Sequence, residues 1–292
     1  MLGLTILTSH RRQSFYNNLH VNYGGDLGLG VNPKLIERIN KSDYLVLLGG
    51  RLSENPSQGF SLFGIPEHNK KVVHIHPGPE EIGRIYKPHL GIPCSPISFA
   101  NTLNNALKGL NTKPSSENQI NTNQAHEEYL EWGNMPLEAP NSDVDLTSAF
   151  RSLRENLEPN TIITNGAGNY AVWGHRLFRF SQFRTQLAPI SGSMGYGLPA
   201  AIAAKLRHPN QTVIALAGDG CFQMTENEFA TAVQYNAAVI VFVIDNEMYG
   251  TIRMHQHKNY KGKYKHTGLI NPDFNKLAVA MGGQGYTVNN TE

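Results

Sequence analysis

Apolar positions along the chain fall into short runs that alternate with stretches of helical spacing. Residues 1–7 are largely apolar, residues 43–48 (DYLVLL) run into Gly49-Gly50, and residues 71–76 (KVVHIH) run into Pro77-Gly78. Short apolar runs closed by turn residues are typical of buried parallel strands. Helical patterns lie between and after them, at residues 32–40 and 80–86. Beyond Val144 the alternation resumes. Leu146, Phe150, Leu153 and Leu157 share one helical face. Residues 161–164, 211–217 and 238–244 read as strands. Residues 168–178, the segment opened by Gly197-Leu198-Pro199, and residues 226–235 read as helices, with Pro199 suited to a first turn. The alternation predicts an α/β fold of open parallel sheets, doubly wound with helices on both faces.

One stretch breaks the pattern. Residues 109–124 (GLNTKPSSENQINTNQ) are rich in Asn, Ser, Thr and Pro and nearly devoid of apolar residues. Such composition reads as a linker. A helix is expected at 126–132 and a second short loop at 138–143. The expected layout is therefore a first domain over 1–108, a linker over 109–143 and a second domain over 144–292. A length of 292 residues agrees with about two domains.

Charge and composition exclude more than they assign. The net charge is +2 with histidines neutral, which calls for neither nucleic acid nor an anionic membrane. The longest apolar run, 237–244, falls far short of the roughly 20 residues that span a bilayer. Residues 1–7 lack a basic leader and a cleavage pattern, so they read as a strand rather than a signal peptide. Cys94 and Cys221 fit no metal or redox spacing, which suits a reducing compartment. The expectation is a cytoplasmic protein.

The chemistry concentrates in residues 212–246. The strand TVIALA runs straight into Gly218-Asp219-Gly220, where glycines permit a sharp turn and close approach of a ligand. Residues 225–228 (TENE) fit a capping box, so a helix should start there. The strand that follows delivers Asp245-Asn246 at its own carboxyl end. A right-handed crossover leaves both carboxyl ends on one edge of the sheet, so Asp219 and Asn246, 27 positions apart, face one crevice. A carboxylate and a carboxamide oxygen are hard ligands that suit Mg²⁺ beside phosphate and water. The N–H groups of Gly220 and Cys221 are placed to hold a diphosphate. A pair of ligand-free strand-end turns is the plainer alternative, and convergence of both groups at one sheet edge argues against it.

Residues 218–250, GDGCFQMTENEFATAVQYNAAVIVFVIDNEMYG, resemble the cofactor motif of thiamine diphosphate-dependent enzymes. That motif begins with GDG and closes near a pair of asparagines. The resemblance implies that Asp219, Asn246 and the main-chain oxygen of Met248 bind the metal. Asp245 stands where the first asparagine of the pair is usual, which makes the surround more negative. A second stretch, ISGSMGYGLPAAIAAKL, is similar to the acetolactate synthase and pyruvate decarboxylase group. It implies that the Gly192 carbonyl accepts from the cofactor's 4′-amino group and that Met194 bends thiamine into its V shape. Core filling is the alternative role for Met194. The third stretch, TNGAGNYAVWGH, implies diphosphate contacts from Gly168, Asn169 and Tyr170. Cap and core roles are the alternative for Asn169 and Tyr170. Arg253, His255 and His257 follow in MYGTIRMHQHKNYKGKY, where relatives often border the substrate, and a solvated basic face accounts for them equally.

Residues 23–54 and 74–84 look like the central domain of the same family, where acetolactate synthase-type enzymes hold FAD or a nucleotide. The usual Gly-x-Gly-x-x-Gly loop is absent from its strand-to-helix place, so no motif supports FAD here. The expectation is thus a partial acetolactate synthase-like large subunit, acting on a 2-oxo acid by decarboxylation and carboligation within a homodimer or homotetramer. A 2-oxo acid decarboxylase or an aldehyde lyase of the same family uses the same motifs. A non-catalytic cofactor-binding fragment is the alternative of another class. No segment matches the family's pyrimidine-binding domain, which carries the activating glutamate, so the chain alone is expected to be inactive.

Overall fold

The apolar runs closed by glycine, proline and aspartate become parallel strands. The computed structural model describes residues 3–108, 110, 113–137 and 143–291. The loop expected at 138–143 lies, apart from Asp143, outside the described residues. Contacts divide the chain into unit 1, residues 1–10 and 20–132, and unit 2, residues 11–19 and 133–292.

Unit 1 runs β1 (Ile6–Ser9), β2 (Tyr23–Leu27), α1 (Pro33–Lys41), β3 (Tyr44–Leu48), β4 (Lys71–His76), β5 (Leu90–Pro93), α2 (Pro96–Lys108) and α3 (Ser116–Trp132). Strands β1 and β2 form one parallel pair and β3-β4-β5 a second parallel sheet. Helix α1 starts where the Asn32 side chain accepts from Lys34 N and Pro33 occupies the first turn. Its Leu35 and Ile39 join Leu27, Leu47, Val72 and Tyr86 in the core of the unit.

Two expectations fail in unit 1. The helix expected at 80–86 is a single 3-10 turn, Pro79–Glu81. Gly83 takes φ +79°, and a Cβ there would meet Pro88 Cδ at 3.2 Å, so the chain leaves the right-handed region before a helix forms. The polar segment read as linker is in part α3, which begins at Ser116. Its buried positions are Thr122 and Ala125, small residues that no apolar pattern reveals. Polar bonds fix it instead. Thr122 Oγ1 donates to the Gly3 carbonyl (2.8 Å) and His126 Nδ1 lies 2.9 Å from the Tyr23 carbonyl. Glu128 accepts from Arg38 Nε at 2.5 Å and Nη2 at 2.9 Å.

Unit 2 runs α4 (Leu146–Asn156), β6 (Ile162–Asn165), α5 (Ala171–Leu177), β7 (Gln186–Leu187), α6 (Gly197–Arg207), β8 (Val213–Gly218), α7 (Asp219–Phe222), α8 (Glu228–Gln234), β9 (Ile240–Ile244), α9 (Gly250–Asn259) and α10 (Phe274–Ala280). Its sheet is parallel throughout, in the order β7-β6-β8-β9. Buried β8 shows the two-faced cover that alternation dictates. Ile214 and Leu216 pack with Phe150 of α4 and Leu177 of α5. Val213 and Ala215 pack with Ala201 and Ala204 of α6, and Ala217 with Ala232 of α8. Residues 11–19 are tied into this unit by Asn18, which bonds Phe180 through both its backbone N–H (2.8 Å) and its side-chain oxygen (2.9 Å).

The capping box expected at 225–228 does not form. Thr225 Oγ1 donates to the Gly195 carbonyl at 2.8 Å, and the N-cap of α8 is Asn227, with no side-chain cap bond. No helix among the described residues is long and apolar enough to cross a membrane.

Candidate functional site

Strands β8 and β9 lie side by side with Gly218 opposite Ile244, so Asp219 and Asp245 leave the sheet together. Asp219 is 2 % exposed. Its Oδ1 accepts from Gly220 N at 2.8 Å and its Oδ2 from Met248 N at 3.2 Å. The loop that carries Asn246 is therefore bonded directly to Asp219, as the crossover argument expects. A second segment holds that loop from the far side. Met248 bridges Gly268 in antiparallel fashion, Tyr249 N donates to the Thr267 carbonyl (2.8 Å), and Leu269 N donates to the Glu247 carbonyl (2.8 Å). The Met248 carbonyl accepts from Gly250 N at 2.8 Å and keeps its second lone pair. Asn246 is exposed at the rim.

One residue of this cluster carries no sequence signal. Asn271 Nδ2 donates to Asp219 Oδ2 (2.9 Å) and to Asp245 Oδ1 (2.7 Å). It reaches the strand ends because the bridge at Met248 and Gly268 folds the chain back over them. No motif marks it, and only the pairing of distant segments could have revealed it.

The surroundings of Asp219 test whether a cation fits. A buried carboxylate is costly unless it is hydrogen-bonded and paired with positive charge. Asp219 has neutral N–H donors and forms no ion pair among the described residues. Among them no three His, Cys, Asp or Glu side chains gather as a ligand set. The expected ligand set is the buried Asp219 carboxylate with the Asn246 carboxamide and the Met248 carbonyl of the loop bonded to it, and the exposed Asp245 carboxylate shares the Asn271 amide with Asp219. That hard, low-count set fits a small divalent cation that completes its shell with phosphate and water.

The three glycine-bearing motifs meet beside it. Gly166 N donates to the Tyr170 hydroxyl (3.1 Å), that hydroxyl donates to Cys221 Sγ (3.3 Å), and Gly195 N donates to the same sulfur (3.2 Å). A Cβ on Gly166 would lie 2.3 Å from Cys221 Sγ, so the turn after β6 can approach α7 only as glycine. Tyr170 packs on Gly168 and Gly218 in the core. Burial first, and then the Cys221 sulfur, pushes its phenol far above the ordinary value. The structure thus gives Tyr170 the core role that the sequence left as an alternative. Exposed Asn169 instead bonds Thr251, accepting from its hydroxyl at 2.9 Å. Gly192 is exposed with φ +74° and open space on its Cβ side. Met194 is half-buried against the core that contains Tyr170 and Cys221. The Gly220 N–H, expected at a diphosphate, is turned to the Asp219 carboxylate.

Arg253, His255 and His257 lie exposed on α9. The Arg253 guanidinium sits 4.7 Å from the Tyr264 ring centroid, and His257 Nδ1 lies 2.6 Å from the Tyr264 hydroxyl. That placement favours the solvated face. A cavity lined by Ile162, Phe183, Arg184, Arg207, His208 and Gln211 opens at the amino ends of β6 and β8, the edge opposite Asp219.

Residues 166–292 match the family model described as thiamine pyrophosphate enzyme, C-terminal TPP binding domain, and residues 1–103 match the thiamine pyrophosphate enzyme central domain. The acetolactate synthase large subunit of Porphyra purpurea is 29% identical over 271 residues, covering 92% of this chain and 45% of that protein. The large subunit of Pyropia yezoensis is 30% identical over 272 residues, with the same two shares, 92% and 45%. The mitochondrial acetolactate synthase catalytic subunit of Aspergillus candidus is 41% identical over 144 residues, 49% of this chain and 21% of that protein. The chain spans about half the length of the curated large subunits it matches. With two of the family's domains matched in order along its sequence, this chain belongs to the thiamine pyrophosphate enzymes.

Proposed function

We propose that the chain is the Mg²⁺- and thiamine diphosphate-binding part of an acetolactate synthase-like enzyme, one that decarboxylates a 2-oxo acid and joins the remainder to a second. The observation that carries this reading is the 3.2 Å bond from Met248 N to Asp219 Oδ2, which draws the Asn246 loop onto the one buried carboxylate of the sheet edge. The names of the relatives support the acetolactate synthase assignment.

Asp219, Asn246 and the Met248 carbonyl would hold the ion, which would supply positive charge for the diphosphate. The Gly192 carbonyl would accept from the cofactor's amino group, and Met194, half-buried against the core, would support the cofactor beside it. Thiamine diphosphate, when bound, supplies the electron sink for loss of carbon dioxide. The enzyme works as a homodimer or homotetramer, and the activating glutamate comes from outside these 292 residues. Calorimetry tests the reading. Thiamine diphosphate should bind with Mg²⁺ and release when the metal is chelated, while the chain alone leaves pyruvate unchanged. Binding indifferent to Mg²⁺ contradicts the metal assignment, and pyruvate turnover by the chain alone contradicts the external glutamate.

A further inference from the structure

The Asn271 carboxamide is oriented at both ends. Its Oδ1 accepts from Gln223 Nε2 at 2.8 Å, so Nδ2 must face the carboxylates, where it donates to Asp219 at 2.9 Å and to Asp245 at 2.7 Å. The reverse orientation would set a carbonyl oxygen against two carboxylates. Gln223 is itself fixed at the end of α7, its backbone N–H donating to the Asp219 carbonyl at 3.1 Å. An amide group has two N–H donors, and both are used here. With Asn271 in place, Asp219 accepts three N–H bonds, from Gly220, Met248 and Asn271. A carboxylate has about four lone-pair positions, which leaves one for a cation. Asp245 Oδ1 also accepts from Glu247 N, at 3.1 Å, so two donors hold it, one from its own loop and one from Asn271.

Resting on the reading of Asp219 as a magnesium ligand, we propose that Asn271 is a positioning residue for the metal. It aims the Asp219 carboxylate and tethers Asp245, so that a second negative strand end stands beside the ion without entering its shell. Outer-shell partners of this kind set ligand orientation and metal affinity.

Mn²⁺ is the probe, with free ion measured by electron paramagnetic resonance on the whole 292-residue chain in the presence of thiamine diphosphate. Asn271→Ala should raise the Mn²⁺ dissociation constant by about 10- to 100-fold, the range for lost outer-shell partners, with little change in metal-free melting temperature. Gln223→Ala, which frees the amide to turn, should move affinity the same way by less. An Asn271→Ala chain that binds Mn²⁺ within about twofold of the unaltered one overturns the proposal, whatever happens to its melting temperature, because that spread is far below an outer-shell effect. Should Asn271→Ala fail to fold, Gln223→Ala decides, and unchanged affinity there overturns the proposal. Asp219→Asn separates the two layers of the argument. If it binds Mn²⁺ as well as the unaltered chain, or if the unaltered chain binds none, the ligand assignment falls and the positioning role with it.

Discussion

Tyr170→Phe separates a framework role from a ligand role at the heart of the candidate site. The hydroxyl accepts from Gly166 N at 3.1 Å and donates to Cys221 Sγ at 3.3 Å, in a residue only 7 % exposed. Removing it leaves the buried Gly166 N–H without its acceptor, whereas Cys221 Sγ keeps the bond from Gly195 N. A buried donor stripped of its partner costs about 1–3 kcal/mol, and the weak sulfur contact adds little. The phenol's folded-state pKa is raised, first by burial and then by Cys221. Its contribution is therefore fully present below the unfolded value near 10 and fades as pH rises past it. The loss in Tyr170→Phe should be constant from about pH 6 to 9, and the variant should lack the parent's loss of stability at alkaline pH. Urea unfolding followed by Trp173, which packs against the same core, reads unit 2 directly in a Trp132→Phe background. Affinity for thiamine diphosphate should change little once the folded fraction is matched. An unchanged urea midpoint together with lost cofactor binding would refute the framework role.

Three further outcomes follow from named contacts. Gly166→Ala places a methyl 2.3 Å from Cys221 Sγ and should cost unit 2 about 1–3 kcal/mol, with Cys221→Ala relieving part of the loss; strict additivity in the double-mutant cycle contradicts this. Asp145 caps α4 by accepting from Thr147 N, so Asp145→Ala should lower stability by about 1 kcal/mol in a urea melt, and an unshifted midpoint would show the cap to be idle. The Ser148 hydroxyl, foremost, holds the Asp145 carboxyl below the usual range, so this contribution is present at neutral pH and is lost as pH falls through the folded-state value. Glu128, held low chiefly by its hydrogen bond from Arg38, behaves with the same sign. Glu128→Gln should weaken the docking of α3 by about 1 kcal/mol and speed hydrogen exchange along Ser116–Trp132, and unaltered exchange there would show that the pair contributes nothing.

What the sequence revealed follows from which forces leave a pattern in it. β4 occupies the residues expected, 71–76, because an apolar run between turn residues has few other ways to bury itself. Asp219 and the Asn246 loop could be placed together because parallel strands joined by a crossover must end on one edge. The helix expected at 126–132 is the end of α3, and its earlier turns were hidden because their contacts are hydroxyl and imidazole bonds around Thr122 and Ala125 rather than an apolar stripe. The capping box at 225–228 misled because the Gly195 carbonyl, distant in sequence, takes the Thr225 hydroxyl. Asn271 lies 52 positions from Asp219 and reaches it only through an antiparallel bridge that local spacing does not encode. Tyr170 could be read either way, since a phenol beside glycines serves a ligand or a core, and its two buried bonds favour the core.

Anomalous scattering from Mn²⁺, in crystals of the chain grown with thiamine diphosphate, tests the central claim most directly. The account predicts a single strong peak about 2.1 Å from an Asp219 carboxylate oxygen, the Asn246 side-chain oxygen and the Met248 carbonyl, with diphosphate oxygens completing the shell. A peak elsewhere, or one coordinated by Asp245 in place of Asn246, would contradict it.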